Sequence, residues 1–343
     1  MAIALAGASS SRRTMEYVRG FALLLVVAVA GLYIVKWSPY YSRSMAILNA
    51  HAYPGSSIIS GYNAAPPGPS WDAAASYATA YFSAIWQAMV LGLLLAATIE
   101  TFLPRDWIAR VLGRASAGST ATATAMALPG MMCSCCVAPV AIGLRRSGAA
   151  IGSAVAFALS NPTLNPAVLV FLVLAVGWQW AVLRAGFGLA LVAGAALLAT
   201  RLGGTQVVLP QPALAESLPA GGGNLALRWL VSLGRLIVGL APAYIGIVLL
   251  LGALRAFLFP AAIAQAGDNL AVMLGVAIAG TLFVIPTGGE IPIIQTLHAF
   301  GMGSSLAGVL LLTLAPVSLP SLAMLSRTFP IRVLAAVAGL TAL

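Results

Sequence analysis

The sequence has very few charged residues. Only 7% of its 343 residues are Asp, Glu, Lys or Arg, whereas a soluble domain carries roughly a quarter. Hydrophobic residues make up 61% of the chain, and the mean hydropathy is +1.01. Such a chain could not cover its own surface in water, and several apolar runs reach the ~20 residues that cross a bilayer as a helix. The composition excludes a soluble enzyme and predicts an all-α polytopic membrane protein.

Acidic residues are scarcer than basic ones: 7 Asp and Glu stand against 17 Lys and Arg, for a net charge of +10. The arginines are scattered between apolar runs, which argues against a nucleic-acid partner and favours a role in orienting the spans. No G-x-x-x-x-G-K-[ST] phosphate loop is present, so ATP-driven transport would need a partner protein, and we expect no cofactor. All three cysteines fall within Cys133–Cys136, where a structural disulfide is disfavoured, and we expect free thiols.

Apolar runs, broken by prolines, predict about 8–10 helical segments. The N-terminus is interpreted as a retained first helix over 17–36, with Lys36 and Trp37 as interfacial anchors, followed by a loop over 37–75. The predicted division is an N-terminal helix and periplasmic loop (1–75), a first permease repeat (76–201), a cytoplasmic linker (202–228) and a second permease repeat (229–343).

The two halves carry a matching proline and glycine pattern. Pro139, Gly148, Pro162 and Pro166 stand at offsets 0, 9, 23 and 27, while Pro292, Gly301, Pro316 and Pro320 stand at 0, 9, 24 and 28. A single one-residue insertion reconciles the two series. Because flanking helices also correspond, the pattern predicts an internal duplication of broken helices, as in transporters with inverted repeats.

Charge placement predicts the topology. Segment 118–147 carries arginines near both ends, so we predict a re-entrant hairpin entering from the cytoplasm, and its counterpart 269–300 should enter from outside. This topology puts the N-terminus in the cytoplasm and twelve of the seventeen basic residues inside. The two hairpin tips should then meet near the midplane, where such folds bind substrate. Four basic residues are predicted to lie outside, namely Lys36, Arg43, Arg184 and Arg255.

The tip of the first hairpin reads Met131-Met132-Cys133-Ser134-Cys135-Cys136, followed by Pro139. Thiolate and thioether ligands suit soft ions such as Cu(I), and by the same logic trivalent arsenic. Pro139 favours a helix that starts just before it, which would place the cysteines at a helix N-terminus. We predict substrate binding by Cys133, Ser134, Cys135 and Cys136, and a soft-metal or metalloid set formed by the three cysteines with both methionines.

The tip of the second hairpin contains Thr287 and Glu290. Glu290 is the only acid predicted to lie deep in the membrane, where a carboxylate is functional by default as a proton relay or ion ligand. His298 follows eight positions later on roughly the same helix face. We predict that Thr287 and Glu290 contact substrate and that Glu290 and His298 couple transport to protons.

A second break follows each hairpin. The first half has Asn161-Pro162-Thr163-Leu164-Asn165-Pro166, and the second half has Pro316-Val317-Ser318-Leu319-Pro320. Polar side chains at unwound points either satisfy freed backbone groups or line a pathway. Asn161, Asn165 and Ser318 are therefore candidate substrate contacts.

These motifs resemble the ArsP-like predicted permeases of bacteria. The resemblance covers about 118–340 and is carried by the cysteine motif with Pro139, by Gly143-Leu144-Arg145-Arg146-Ser147-Gly148, by Ser160 to Pro166 and by Ala315 to Ser321. It implies a permease of the bacterial inner membrane, and one family branch is implicated in exporting trivalent organoarsenicals. Many members have glycine or serine where this chain has Cys136.

The resulting hypothesis is a proton-coupled secondary permease, not an enzyme, that exports a soft, thiol-reactive solute. Its predicted partners are this small-molecule or metalloid substrate and the lipid bilayer. Three alternatives stay open from the residues. One is a Cu(I) or soft-metal carrier that uses Met131 and Met132, and one is a carrier of small sulfur compounds. The third is a membrane thiol oxidoreductase with Cys133 and Cys136 as a C-x-x-C pair.

Overall fold

The computed structural model describes residues 18, 20–50, 52–61, 63, 65–203, 225–260 and 269–343. Over these ranges the chain is helical with connecting turns, and its β-structure is limited to an isolated bridge between Ser57 and Gly61. The prediction of an all-α polytopic membrane protein is confirmed. Five of the described helices are long and apolar enough to cross a membrane, at Gly20–Ala50, Trp71–Phe102, Ile151–Ala175, Trp178–Gly203 and Ala226–Leu258.

The described residues of the N-terminal region and the first half form nine helices. They are α1 (20–32), α2 (Ser38–Ala50), α3 (Trp71–Phe102), α4 (Arg105–Leu112), α5 (Ala117–Ala127), α6 (Ser134–Arg146), α7 (Ile151–Thr163), α8 (Pro166–Ala175) and α9 (Trp178–Gly203). A π-helical turn at Tyr33–Trp37 joins α1 to α2, and a 3-10 turn at Leu128–Gly130 follows α5.

The described part of the second half contains six helices. They are α10 (Leu225–Leu258), α11 (Leu270–Leu282), α12 (Glu290–Ala299), α13 (Ser304–Thr313), α14 (Leu319–Leu325) and α15 (Ile331–Ala342). Of the predicted linker 202–228, residues 204–224 lie outside the described residues, and both of its ends are helical.

The order of helices repeats between the halves. Taken in chain order, six helices of the first half have counterparts in the second half: α3, α5, α6, α7, α8 and α9 match α10, α11, α12, α13, α14 and α15. The packing repeats as well, since α5 lies on α7 and α11 lies on α13. Across the halves, α3 packs along α10 and α9 packs along α15. This correspondence agrees with the duplication that the proline pattern predicts.

The first hairpin starts and finishes at the same end of the helix bundle. The Ser119 hydroxyl near the start of α5 donates to the Val111 carbonyl at 2.8 Å, and the Ala150 N–H just after α6 donates to the Leu112 carbonyl at 2.8 Å. Both ends of the segment are therefore tied to α4. The chain between them reaches its far point in the stretch 128–136, which we call the cysteine tip.

Small residues let α6 approach α3 closely. A Cβ at Gly92 of α3 would clash with the Cys136 carbonyl, and a Cβ at Gly143 of α6 would lie 3.2 Å from the Ala96 carbonyl oxygen. Such small-residue contacts are the usual means of packing helices in membranes. They place the first turn of α6, and hence the thiols, against the long helix α3.

Two sequence predictions about local structure are wrong. Residues 38–50, predicted as loop, form α2, because Pro39 is tolerated in a first helical turn and Tyr40 and Ile47 share a buried face. Helix α6 starts at Ser134, five residues before Pro139, which therefore lies inside the helix. Since proline has no N–H to donate to Cys135, the Cys135 carbonyl lacks its usual intrahelical partner.

Three of the four basic residues predicted on the outer side of the membrane are buried within the protein. Lys36, Arg184 and Arg255 are 6%, 1% and 6% exposed. Arg255 donates to the Ile58 carbonyl at 3.4 Å and stacks over the Tyr77 ring. Hydropathy does not predict this burial, because it places a charge by its distance from the end of a span and ignores which face of the helix carries it.

Candidate functional site

The cysteine tip holds its three thiols at the start of a helix. After the 3-10 turn, Met131 adopts the left-handed conformation at φ 46°, and Cys133 is the residue that precedes the first turn of α6. All three cysteines are free and buried. The Cys133 and Cys136 sulfurs lie 3.0 Å apart. The tip therefore presents two thiols side by side without a disulfide.

The backbone of the cysteine tip is held by side chains from outside it. The Asn161 amide oxygen on α7 accepts from the Met132 N–H at 3.3 Å, while the amide nitrogen donates to the Phe157 carbonyl at 3.2 Å. From the N-terminal region, the Trp37 indole donates to the Pro129 carbonyl at 2.9 Å. Asn161 thus serves as a positioning residue for the tip rather than as a free polar group facing a pathway.

The third thiol, of Cys135, has its own polar surroundings. The Tyr81 hydroxyl of α3 donates to its sulfur at 3.3 Å, and the Tyr244 hydroxyl of α10 donates to the Tyr81 oxygen at 2.9 Å. The Ser318 hydroxyl oxygen lies 3.5 Å from the same sulfur. Cys135 is therefore tied to both halves through hydroxyl groups, unlike the Cys133 and Cys136 pair.

The second break of the second half meets the cysteine tip directly. The Ser318 hydroxyl oxygen lies 3.0 Å from that of Ser134. Ser318 also caps α14 in a capping box with Ser321, whose hydroxyl accepts from the Ser318 N–H at 3.0 Å. The predicted candidates Ser134, Cys135 and Ser318 thus form one cluster.

Glu290 is buried and is paired with an arginine from the first half. It is the first residue of α12, and its carboxylate oxygen lies 2.5 Å from Arg184 Nη1 of α9. Both residues are 1% exposed. A buried carboxylate needs such a partner, because an isolated buried charge is very costly. The stretch 283–290, which we call the glutamate tip, is thereby joined to the first half.

A cavity connects the two tips. It is small, with a volume of about 10 Å³, which is enough for about one water molecule. Cys133, Arg184, Thr287 and Glu290 line it together with prolines and apolar residues. The hydroxyl oxygen of Thr287 is buried without a hydrogen-bond partner among the described residues. The predicted meeting of the two tips is therefore seen in the structure, with a thiol on one side and an ion pair on the other.

The N-terminal region covers one side of this site. The Lys36 ammonium is buried and donates to the Tyr40 hydroxyl at 3.0 Å, and that hydroxyl donates to the Met131 carbonyl at 3.3 Å. Lys36 also interacts electrostatically with Cys133 and Cys136. Lys36 belongs to the π-helical turn Tyr33–Trp37, and such turns are frequent at functional sites.

The glutamate tip is covered by the chain that follows α2. Gly288 has φ +80°, and a Cβ there would lie 2.8 Å from the Tyr53 hydroxyl. Arg43 donates to that hydroxyl at 2.9 Å, and the Tyr53 ring packs edge-on against Phe171 of α8. The segment between α1 and α3 thus contacts both tips, although it lies outside the duplicated helices.

Two residues predicted for the site have other positions or roles: His298 lies away from Glu290, and Asn165 caps a helix. His298 is near the far end of α12, eight residues from Glu290 or about 12 Å along a helix, and its Nδ1 lies 2.6 Å from the Met302 carbonyl oxygen. No described contact joins it to Glu290. Asn165 caps α8 by accepting from the Ala167 and Val168 N–H groups, while its amide nitrogen is buried without a hydrogen-bond partner among the described residues.

The predicted soft-metal or metalloid set, formed by the three cysteines with Met131 and Met132, stays a prediction. Within the described ranges, no group of three or more His, Cys, Asp or Glu side chains is arranged to hold a metal ion. Met131 and Met132 contribute backbone groups to the site, through the Met131 carbonyl and the Met132 N–H. The side chains of Cys133 and Cys136 form the close pair of thiols at this tip.

Several polar residues of the site were not predicted as such from the sequence, among them Lys36, Tyr81 and Arg184. A signal for Arg184 existed, because it stands six residues inside the apolar helix α9, and an ionisable residue within a span is a functional-site candidate by default. Lys36 followed an apolar run and so matched the pattern of an interfacial anchor. Tyr81 had no signal, since a tyrosine in a span is ordinary.

Comparison with known proteins places the chain in a family. A family model described as a predicted permease, ArsP_1, matches residues 120–208. The UPF0718 protein YraQ of Escherichia coli (strain K12) is 43% identical over 313 residues, which cover 91% of this chain and 89% of that protein. This chain belongs to the ArsP-like family of predicted permeases. No solved structure matches it significantly. The matched segment 120–208 includes the cysteine tip, both asparagines and Arg184.

Proposed function

We propose that this member of the permease family is a secondary-active transporter of the bacterial inner membrane that exports a soft, thiol-reactive solute. Trivalent organoarsenicals are the proposed substrate class and protons the proposed coupling ion. The observation that carries the proposal is the pair of free thiols, Cys133 and Cys136, whose sulfurs lie 3.0 Å apart with Cys133 lining the cavity between the two halves. Soft sulfur ligands prefer soft acceptors.

The proposed binding step is a reversible exchange at arsenic. A methylarsenite molecule carries two hydroxyl groups on one arsenic atom. The Cys133 and Cys136 sulfurs form two As–S bonds, the two As–O bonds break, and each leaving oxygen departs as water with one thiol proton. Water reverses the exchange on the release side. No electron is transferred, so the step needs neither oxidant nor reductant.

A second, apolar cavity marks the place toward which the organic part of the solute would extend. It lies between α7, α14 and α15, has Ser134 and Ser321 at its polar edge and has a volume of about 20 Å³, so these helices must move apart to accept an organic group. The Ser134 hydroxyl lies next to the Cys135 sulfur, at 4.0 Å. An alkyl or aryl group bonded to arsenic would favour this side, because burying apolar surface is favourable.

Proton coupling is proposed to pass through Glu290. In the described conformation its carboxylate is held by Arg184, so it must leave that contact before it takes a proton. His298 stays a predicted proton relay, at the far end of α12. Movement of one half against the other, as in other repeat transporters, would separate Glu290 from Arg184.

The test is methylarsenite accumulation in everted membrane vesicles. Wild type is expected to accumulate it when a proton gradient is present and not after the gradient is collapsed. Cys133→Ser and Cys136→Ser are expected to abolish accumulation, because one thiol cannot form both bonds, and Cys135→Ser is expected to retain part of it. Correctly inserted wild-type protein that accumulates no arsenical would exclude this substrate class.

A membrane thiol oxidoreductase is the second candidate, and the same sulfur distance favours it. In that function Cys133 and Cys136 would cycle between dithiol and disulfide, with a membrane quinone as the two-electron acceptor. Thiol counting in membranes poised with oxidised or reduced quinone would distinguish the two. Two thiols lost and regained with the quinone state would favour the oxidoreductase, and a constant count of three free cysteines would favour the permease.

A further inference from the structure

Arg184 is held by main-chain carbonyls from both halves of the protein. Its guanidinium donates to the carbonyls of Pro162 at 2.9 Å and Thr163 at 3.2 Å, at the end of α7, and to that of Leu311 in α13 at 3.3 Å. These three contacts are neutral. Among the described residues, its one charged contact is the Glu290 carboxylate at 2.5 Å. Neutral carbonyl groups therefore hold the Arg184 guanidinium in position, while the Glu290 carboxylate compensates its charge.

Glu290 is the more movable member of the pair. It follows Gly288 and Gly289, and Gly288 occupies the left-handed region at φ +80°. The carboxylate enters the cavity from the first residue of α12, directly after this pair of glycines. Glycine positions of this kind absorb backbone changes at hinges. Displacing Glu290 leaves the three carbonyl contacts of Arg184 intact.

We propose that Arg184 is an anion-binding residue of the transport cavity, and that a small anion binds it in exchange for the Glu290 carboxylate. The exchange keeps the buried guanidinium compensated, since one negative charge replaces another, and guanidinium groups suit oxyanions because of their planar fork of donors. The cavity is too small for a second anion beside the carboxylate, so binding requires displacement. The ligand class is a small oxyanion, including those that contain sulfur.

This site goes beyond the proposed export of a thiol-reactive solute and does not rest on it, because a neutral arsenical needs no cationic contact. The exchange also has a mechanical consequence. Arg184 on α9 and Glu290 on α12 form an ion pair across the two halves, so an anion that takes Arg184 breaks this one link. Anion entry and release of Glu290 from Arg184 are then one event.

The test measures thiosulfate binding to the full chain in lipid nanodiscs by calorimetry. Glu290→Gln is expected to bind thiosulfate about tenfold tighter than wild type, because the competing carboxylate is gone. Arg184→Gln and the double variant Arg184→Gln/Glu290→Gln are expected to lose binding. Glu100→Gln is the matched control. It makes the same change in the other described ion pair, Glu100 with Arg146 at 3.1 Å, and is expected to bind like wild type.

Thermal unfolding provides the second measurement, because Glu290→Gln leaves a buried guanidinium uncompensated and is expected to lose stability. Thiosulfate is expected to raise its unfolding temperature in a concentration-dependent way, and to leave that of the double variant unchanged. The proposal is overturned if Glu290→Gln binds thiosulfate no tighter than wild type, or if Arg184→Gln binds it equally well. Retained binding in Cys133→Ser would separate this site from thiol chemistry, whereas loss of binding there would contradict an arginine-centred site.

Discussion

The Ser134 and Ser318 hydroxyl oxygens lie 3.0 Å apart, and this contact joins the cysteine tip of the first half to the second break of the second half. Ser134 begins α6, and Ser318 caps α14. Two helix starts from different halves therefore share one hydrogen bond in a buried place. A helix start carries unsatisfied N–H groups that can bind hydrogen-bond acceptors. We therefore expect this junction to be sensitive to shortening of either serine side chain.

Truncating the two serines is expected to have unequal effects. Ser134→Ala removes one buried hydrogen bond, at about 1 kcal/mol. Ser318→Ala removes the same bond and the cap of α14, for a total of about 2 kcal/mol. In a double-mutant cycle of thermal unfolding, the double variant is expected to cost less than the sum of the singles. Additive losses would show that the two hydroxyls do not interact.

The broken helices could be predicted from sequence because prolines and glycines act locally. Pro162 and Pro166, with their counterparts Pro316 and Pro320, mark unwound points by the covalent geometry of their own rings, whatever the surroundings. The thiols of Cys133 and Cys136 do lie at a helix start, but Pro139, from which that start was predicted, lies inside α6. Local chemistry therefore carried the prediction of the repeat and of the two tips.

The partners of these groups could not be predicted, because they depend on which face of a helix meets which neighbour. Arg184 turns inward on α9 and meets Glu290, 106 positions later in the chain. Lys36 ends an apolar run, yet the turn at Tyr33–Trp37 directs it to the cysteine tip instead of to the bilayer surface. Hydropathy predicts neither contact, because it is averaged along a helix and does not distinguish one face from another.

The Gly130 position is expected to be intolerant of a side chain. A Cβ there would lie 2.5 Å from the Asn161 amide oxygen, which also accepts from the Met132 N–H. We expect Gly130→Ala to lower the stability of the protein by about 1–3 kcal/mol through crowding. Thermal unfolding in detergent checks this.

Gly118→Ala is the matched control for Gly130→Ala. It lies in α5, where the nearest neighbour of a new Cβ is 4.0 Å away, and alanine is favoured over glycine inside a helix. We expect it to leave stability unchanged or to raise it by up to about 1 kcal/mol. Equal losses in the two variants would contradict the assigned packing of the cysteine tip against Asn161.

Mild oxidation is expected to cross-link Cys133 with Cys136. Their sulfurs are 3.0 Å apart, whereas the Cys135 sulfur accepts from the Tyr81 hydroxyl. After treatment with diamide, peptide mass analysis is expected to find one disulfide and a free Cys135, and transport is expected to stop until dithiothreitol is added. Cys135→Ser is expected to stay sensitive to diamide. Sensitivity that disappears in Cys135→Ser would mean that the reactive pair is a different one.

Lys36 is expected to lower stability while serving function. Its ammonium is buried, donates to Tyr40 and belongs to neither of the two ion pairs found in the described residues. Because a buried charge without a carboxylate is costly, Lys36→Met is expected to raise stability by about 1 kcal/mol or more. The same variant is expected to slow transport several-fold, since the positive charge beside Cys133 and Cys136 is lost. Arg332→Met, exposed on α15, is the control and should shift stability by less than about 0.5 kcal/mol. A Lys36→Met variant that is less stable than wild type would show that the ammonium is already compensated in the resting site.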